Sequence, residues 1–141
     1  MERKPINSSL RFVNYIVNSV RFNYNKNQTD NNKVWKMTFN FNNVTKINEE
    51  KNKIEISLST DIFKDVEDAP FNMSVEIIGF FELDGDDDIS HYEANAIAIM
   101  YPYLRAIIST YTSSANVMPI ILPAININAV LNNKSKDKQE N

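Results

Sequence analysis

The stretch from Met100 to Ile127 constrains this chain most, with the helix that enters it. Ile97, Met100, Tyr101, Leu104, Ile108 and Tyr111 recur at the three- and four-residue spacing of one helical stripe. Ile99, Tyr103 and Ile107 form a second stripe beside the first. A helix apolar over most of its circumference has to be covered over most of it. One cover is the chain's own domain, and the second stripe points to another subunit. The segment that follows is unusual for a connection. Val117, Met118, Ile120, Ile121, Leu122 and Ile125 are apolar, and Pro119 and Pro123 keep the backbone out of helix. Connections usually cross the surface and are polar. An apolar, proline-stiffened one suggests a surface that holds something greasy; the alternative is ordinary packing of a second helix.

Ahead of this helix lie four strand signals. Leu10 to Tyr24 changes phase, with Phe12, Ile16, Val20, Phe22 and Tyr24 on one parity and Val13, Tyr15 and Val17 on the other. A bulge accounts for such a change, as does burial on both faces. Val34 to Phe41 alternates, with Trp35, Met37, Phe39 and Phe41 on one face, and Thr45 to Lys53 reads as a charged loop. Ile54 to Ile62 and Phe71 to Leu83 alternate in turn, with Gly79 marking a bulge or a close approach. Four alternating strands followed by helices predict an α+β domain built on a four-stranded antiparallel sheet. The long helix is expected from Ile89 or Glu93 to about Ala115, kinked or broken by Pro102 near Met100, with Asn116 as a left-handed C-cap. Asn126 is expected to cap a short C-terminal helix through Leu131. Residues 1–131 form the expected domain, and 132–141 a polar, frayed tail.

Several function classes fall away on composition. A net charge of −3 offers no footprint for nucleic acid. No run approaches the ~20 apolar residues of a membrane span. The absence of cysteine rules out thiolate chemistry and fits a cytoplasmic protein. His91 is the only histidine, so no histidine cluster can hold a metal. The turn Asp84-Gly85-Asp86-Asp87-Asp88 fails as an EF-hand, because its glycine is misplaced and Asn95 stands where the bidentate Glu belongs. It reads as a solvated turn with Asp87 or Asp88 near a helix start. With two glycines, Gly79 and Gly85, there is no phosphate loop, and no nucleophile elbow is present. The expectation is a protein that is no enzyme and takes no cofactor.

Two motifs then carry a resemblance. Tyr101-Pro102-Tyr103-Leu104-Arg105 followed by Leu122-Pro123-Ala124-Ile125-Asn126-Ile127 resembles the signature of the SecB protein-export chaperones. Gly79 before Phe80 and Phe81 resembles the end of that family's fourth strand, and Trp35 falls where the family often has a tryptophan. The resemblance covers roughly Leu10 to Leu131. It implies a homotetramer built as a dimer of dimers, paired through strand 1 at Val13, Tyr15 and Val17 and through the helix at Ile99, Tyr103 and Ile107. It implies an ATP-independent holdase for unfolded or precursor polypeptides, keeping them competent for export. The implied binding groove lies under a crossover between strands 2 and 3, matched to Thr45–Lys53, and the loop joining the helices. Its expected lining is Trp35, Ile47, Val117, Met118, Ile120, Ile121, Leu122, Pro123, Ile125, Ile127, Val130 and Leu131.

One departure stands out. Family members that deliver cargo to the SecA translocase ATPase use acids on the exposed sheet face. Leu10 to Tyr24 has none and carries Arg11 and Arg21; on strand 4 the position matching the family's key acid is Ser74, with Glu76 two residues on, and these two are the candidate SecA contacts. A SecB-like chaperone dedicated to another client, such as an antitoxin, is therefore a second expectation. A small-ligand-binding α+β domain is a third.

Overall fold

In the computed structural model, residues 8–27, 36–128 and 131 are described. Four strands, β1 (Ser9–Tyr24), β2 (Phe39–Ile47), β3 (Lys53–Ile62) and β4 (Phe71–Asp84), form one antiparallel sheet in the order β1-β4-β3-β2. A single 3₁₀ turn (Ile89–Tyr92) leads into the long helix α1 (Glu93–Ser114). Beyond it, Ile127, Asn128 and Leu131 are helical. This is the expected α+β architecture.

Alternation explains which face of the sheet is covered. On β3, Ile54, Ile56, Leu58, Thr60 and Ile62 are buried; on β4, every second residue from Phe71 to Leu83 is. Against this face α1 lays Ile97, Met100, Leu104 and Ile108, all essentially without exposure. Each such side chain contributes about 1.5–3 kcal/mol, so this stripe anchors the helix. Gly79 lies beneath Met100. A Cβ there would stand 2.8 Å from the Met100 sulfur, so glycine permits the close approach.

Of the two causes offered for the phase change in β1, the register shows the bulge. The strand's register against β4 shifts between Phe12 and Asn14 and again between Val17 and Ser19. Each shift inserts one residue, Val13 and Asn18, and flips the side chains that follow. Asn116 adopts φ 62°, and the Val117 N–H reaches the Thr112 carbonyl at 3.4 Å. These features close the helix with a left-handed cap, as expected. Asp88 caps the 3₁₀ turn by accepting from the Ser90 N–H at 2.9 Å.

Three expectations need correction. β2 begins at Phe39 and ends at Ile47, five residues later than the pattern suggested at its start. β2 and β3 pair directly, Ile47 opposite Ile54, so Thr45–Lys53 is the end of a hairpin and no crossover. β1 and β2, consecutive along the chain, are the two edge strands of the sheet. Pro102 does not end α1, which runs unbroken from Glu93 to Ser114. The proline removes one hydrogen bond, that to the Ala98 carbonyl, and both residues lie on the exposed side. There water can serve that carbonyl while the buried stripe holds the helix together.

Candidate client-binding surface

α1 positions the segment that follows it with three side chains. The Thr112 hydroxyl accepts from the Ile120 N–H at 2.9 Å and donates to the Ile108 carbonyl at 2.8 Å. Ser109 Oγ donates to the Ile120 carbonyl at 2.8 Å. The Tyr101 hydroxyl donates to the Pro123 carbonyl, and burial pushes its pKa up. Pinned in this way, the segment sorts its side chains. Ile120 and Leu122 enter the core at 5% and 0% exposure, while Met118 and Ile121 stand out at 84% and 67%.

Two residues of the expected groove lining are buried in the single chain. Ile120 and Leu122 belong to the hydrophobic core of the single chain and are not offered at its surface. Met118 and Ile121 are offered, and Pro119 and Pro123 beside them are exposed. Val117, Ile125, Ile127 and Leu131 are half-buried against the same core. Trp35 and Val130 lie outside the described residues, as does the 132–141 tail.

An aromatic band joins this segment to the sheet edge. Phe39 and Phe41 pack edge-to-face at 5.7 Å, and Phe41 packs in the same manner on Tyr101 at 5.9 Å. Tyr101 thus touches β2 through its ring and the segment through its hydroxyl. Phe41 and Tyr101 were not among the expected lining residues. The signal was present in the alternation of strand 2 and in the tyrosine of the Tyr-Pro-Tyr motif, both of which also suit plain core residues. Ile47 lies elsewhere, 38% exposed at the hairpin end of β2. It lines a surface hollow of about 520 Å³ with Val13, Lys46, Lys53, Glu55 and Phe80, among others, and no residue of 117–127 takes part.

The second stripe of α1 is open in the single chain, with Ile99 at 37% and Tyr103 at 39% exposure and Ile107 half-buried. Tyr103 stacks on Phe12 at 5.7 Å and meets Tyr15 at 4.6 Å. Val13 and Val17, on the free edge strand β1, are 48% and 47% exposed.

On the opposite, outward face of the sheet, Ser74 Oγ donates to Asp61 Oδ1 at 2.5 Å. Glu76 accepts from Ser57 Oγ and from Asn18 Nδ2, and these bonds hold its carboxyl below the usual range. Arg11 pairs with Glu82. By register, the strands place Arg11, Arg21, Lys46 and Lys53 on this face against Glu55, Asp61, Glu76, Glu82 and Asp84. Four cations against five anions leave it one negative charge from neutral. His91 Nδ1 stands 2.9 Å from Asp87 Oδ1, and Glu93 accepts from Asn43 at 3.4 Å. Among the described residues, no three His, Cys, Asp or Glu side chains converge as metal ligands, and no helix is long and apolar enough to cross a membrane.

Comparison with known proteins agrees with this geometry. The family model "Preprotein translocase subunit SecB" matches residues 15–138. An uncharacterised protein of Methanocaldococcus jannaschii, MJ0357, is 36% identical over 97% of this chain and 92% of its own length. The protein-export protein SecB of Anaplasma phagocytophilum is 29% identical over 54% of this chain and about half, 52%, of its own. The SecB-like chaperone Rv1957 of Mycobacterium tuberculosis, solved with a ChAD peptide from the HigA1 antitoxin, has the same fold. Its TM-score is 0.59 at 13% identity, over 83% of this chain and 91% of that one.

Proposed function

This chain belongs to the SecB family, and from that premise we propose that it is an ATP-independent holdase for non-native polypeptides. Family membership supports a chaperone role. The observation that carries the finer reading is the pinned segment after α1, which holds Met118 and Ile121 out in water. Together with the exposed Pro119 and Pro123 they offer an apolar surface on a fixed backbone, the kind of surface a partner covers. A thioether and a branched aliphatic adapt to many client sequences. Binding the unfolded chain in preference to the native one slows aggregation without nucleotide, so the reading requires neither an enzyme activity nor a cofactor.

The same reading assembles the chain into a homotetramer. The open stripe Ile99-Tyr103-Ile107 and the free edge of β1 with Val13 and Val17 are the surfaces that want covering. The decisive functional test is suppression of aggregation of an unfolded protein, without nucleotide, by the native chain and by a Met118→Ser/Ile121→Ser variant. Protection should be present in the first and strongly weakened in the second.

A second reading concerns delivery. The outward sheet face sets four cations against five anions and is close to neutral, and electrostatic complementarity sets association rate and partner choice. We infer that SecA binding through Ser74 and Glu76 is weak and nearly insensitive to salt, which favours a client other than export precursors. The antitoxin peptide bound by the Mycobacterium tuberculosis relative supports such a client class. Tight SecA binding that falls steeply with salt would restore export as the role. The work of a cytoplasmic holdase fits either client.

A further inference from the structure

The pinned segment poses a problem of choice. Ile120, Ile121 and Leu122 are nearly equal in hydrophobicity, so apolar burial alone does not decide which of them enter the core. In an extended chain a slip of one residue exchanges the inward and outward sets. Something other than hydrophobicity has to select the register.

The backbone of Ile120 is gripped at both of its polar groups. Its N–H is taken by Thr112 Oγ1 at 2.9 Å and its carbonyl by Ser109 Oγ at 2.8 Å. Thr112 is fully buried, and its own proton is directed to the Ile108 carbonyl, leaving a lone pair aimed at the segment. A buried acceptor in this position is costly to leave unmet. A slip in one direction would bring Pro119 to Thr112, and proline has no N–H to give. A slip in the other would move the Pro123 carbonyl away from the Tyr101 hydroxyl that now bonds it.

We propose that Thr112 and Ser109 are specificity-determining residues: by fixing Ile120 in register they decide that Met118 and Ile121 face the client. The proposal rests on the chaperone reading for its functional half, and on the hydrogen bonds alone for the register. Neither residue touches the client. Both act through the backbone of the segment.

The absence of cysteine makes the test clean. Single Ile120→Cys and Ile121→Cys variants are labelled with a maleimide under native conditions, in the parent background and with Thr112→Val, Thr112→Ser or Ser109→Ala added. In the parent background Ile121→Cys reacts far faster than Ile120→Cys. Thr112→Val, which keeps shape and loses the hydroxyl, shrinks that ratio about tenfold, as does Ser109→Ala, the factor one net hydrogen bond carries. Thr112→Ser restores it. General loosening would also speed labelling of a Leu104→Cys variant, buried under α1 and outside the segment, which a change of register leaves alone; equal acceleration there, or an unchanged ratio in both variants, overturns the proposal. Binding of a fluorescent unfolded peptide is then measured with each cysteine-free variant. A native chain that binds, with Thr112→Val preferring different peptides, supports the assignment. A shifted labelling ratio with unaltered peptide preference overturns its functional half. A native chain that binds no peptide overturns the chaperone reading, and the labelling ratio still decides the register.

Discussion

Leu122 and Ile121 are neighbours of similar size with opposite fates, and truncating each in turn tests the placement of the whole segment. Leu122 has no exposed surface and lies in the core beside Ile120. Leu122→Ala removes buried methyl groups and leaves a cavity, a change that costs about 2–5 kcal/mol. For a chain of this length each kcal/mol lowers Tm by roughly 3–5 °C, so the melting point should fall by about 6–25 °C. Ile121 is 67% exposed. Ile121→Ala should stay within about 0.5 kcal/mol of the parent, as surface substitutions do. Urea unfolding followed by far-ultraviolet circular dichroism reads both, with unchanged m-values showing that the unfolded state has not shifted. Equal costs for the two variants would refute the alternation. So would a Leu122→Ala cost under about 0.5 kcal/mol, which would mean that the segment is not anchored in the core.

The remaining predictions concern other parts of the molecule. Gly79→Ala puts a methyl group against the Met100 sulfur and should cost about 1–3 kcal/mol by overpacking, less to the extent that Met100 swings aside; a neutral result in urea unfolding would place α1 farther from β4. Ser57→Ala removes the strongest of the bonds that lower the Glu76 pKa, so the carboxyl should titrate nearer the ordinary glutamate range by carbon-detected NMR. Because the native pKa is depressed, the stability it brings is complete above the unfolded value and is lost as pH falls through the native one. The acid limb of the stability curve should therefore flatten in the variant, and an unmoved titration would refute the bond. Light scattering at micromolar concentration should report about four chains, and Ile99→Glu should dissociate them by burying a charge in the helix interface; a stable native monomer would show that the open stripe needs no cover.

Much of this architecture was legible in local pattern. The parity switch in Leu10–Tyr24 fitted either an inserted residue or burial on both faces, and the register supplies two insertions, Val13 and Asn18. Asn116 after an apolar helix marked a left-handed stop, which Asn tolerates better than other non-glycine residues. β2 was harder to read because the residues it turns toward the core include Asn43 and Thr45. Two polar residues on the inward face broke the hydropathy signal and made the strand look finished at Phe41. The same break disguised the β2–β3 hairpin as a longer connection. Pro102 marked a break that the buried stripe overrides, because a proline removes one bond while four core side chains hold the helix in place.

The site was legible as a region and not residue by residue. A run such as Ile120-Ile121-Leu122 has no polar neighbour between its members to reveal which ones face inward. That information sits in Thr112 and Ser109, eight and eleven residues before Ile120 in the chain, as hydrogen bonds to the backbone. The aromatic band of Phe39, Phe41 and Tyr101 depends on a contact between β2 and α1. Helical and strand periodicity show each element's inward face and do not show which inward residues meet.

The central claim is that the native chain holds unfolded polypeptide on the outward side chains of the pinned segment. The most direct measurement is the affinity of a fluorescent unfolded protein for the native chain and for Met118→Ser/Ile121→Ser, without nucleotide, each checked for assembly and melting point. Two apolar contacts at about 1.5–3 kcal/mol each should weaken binding by roughly two to four orders of magnitude, with assembly and Tm little changed. Equal affinity of the two proteins would contradict the account and move the client to another surface.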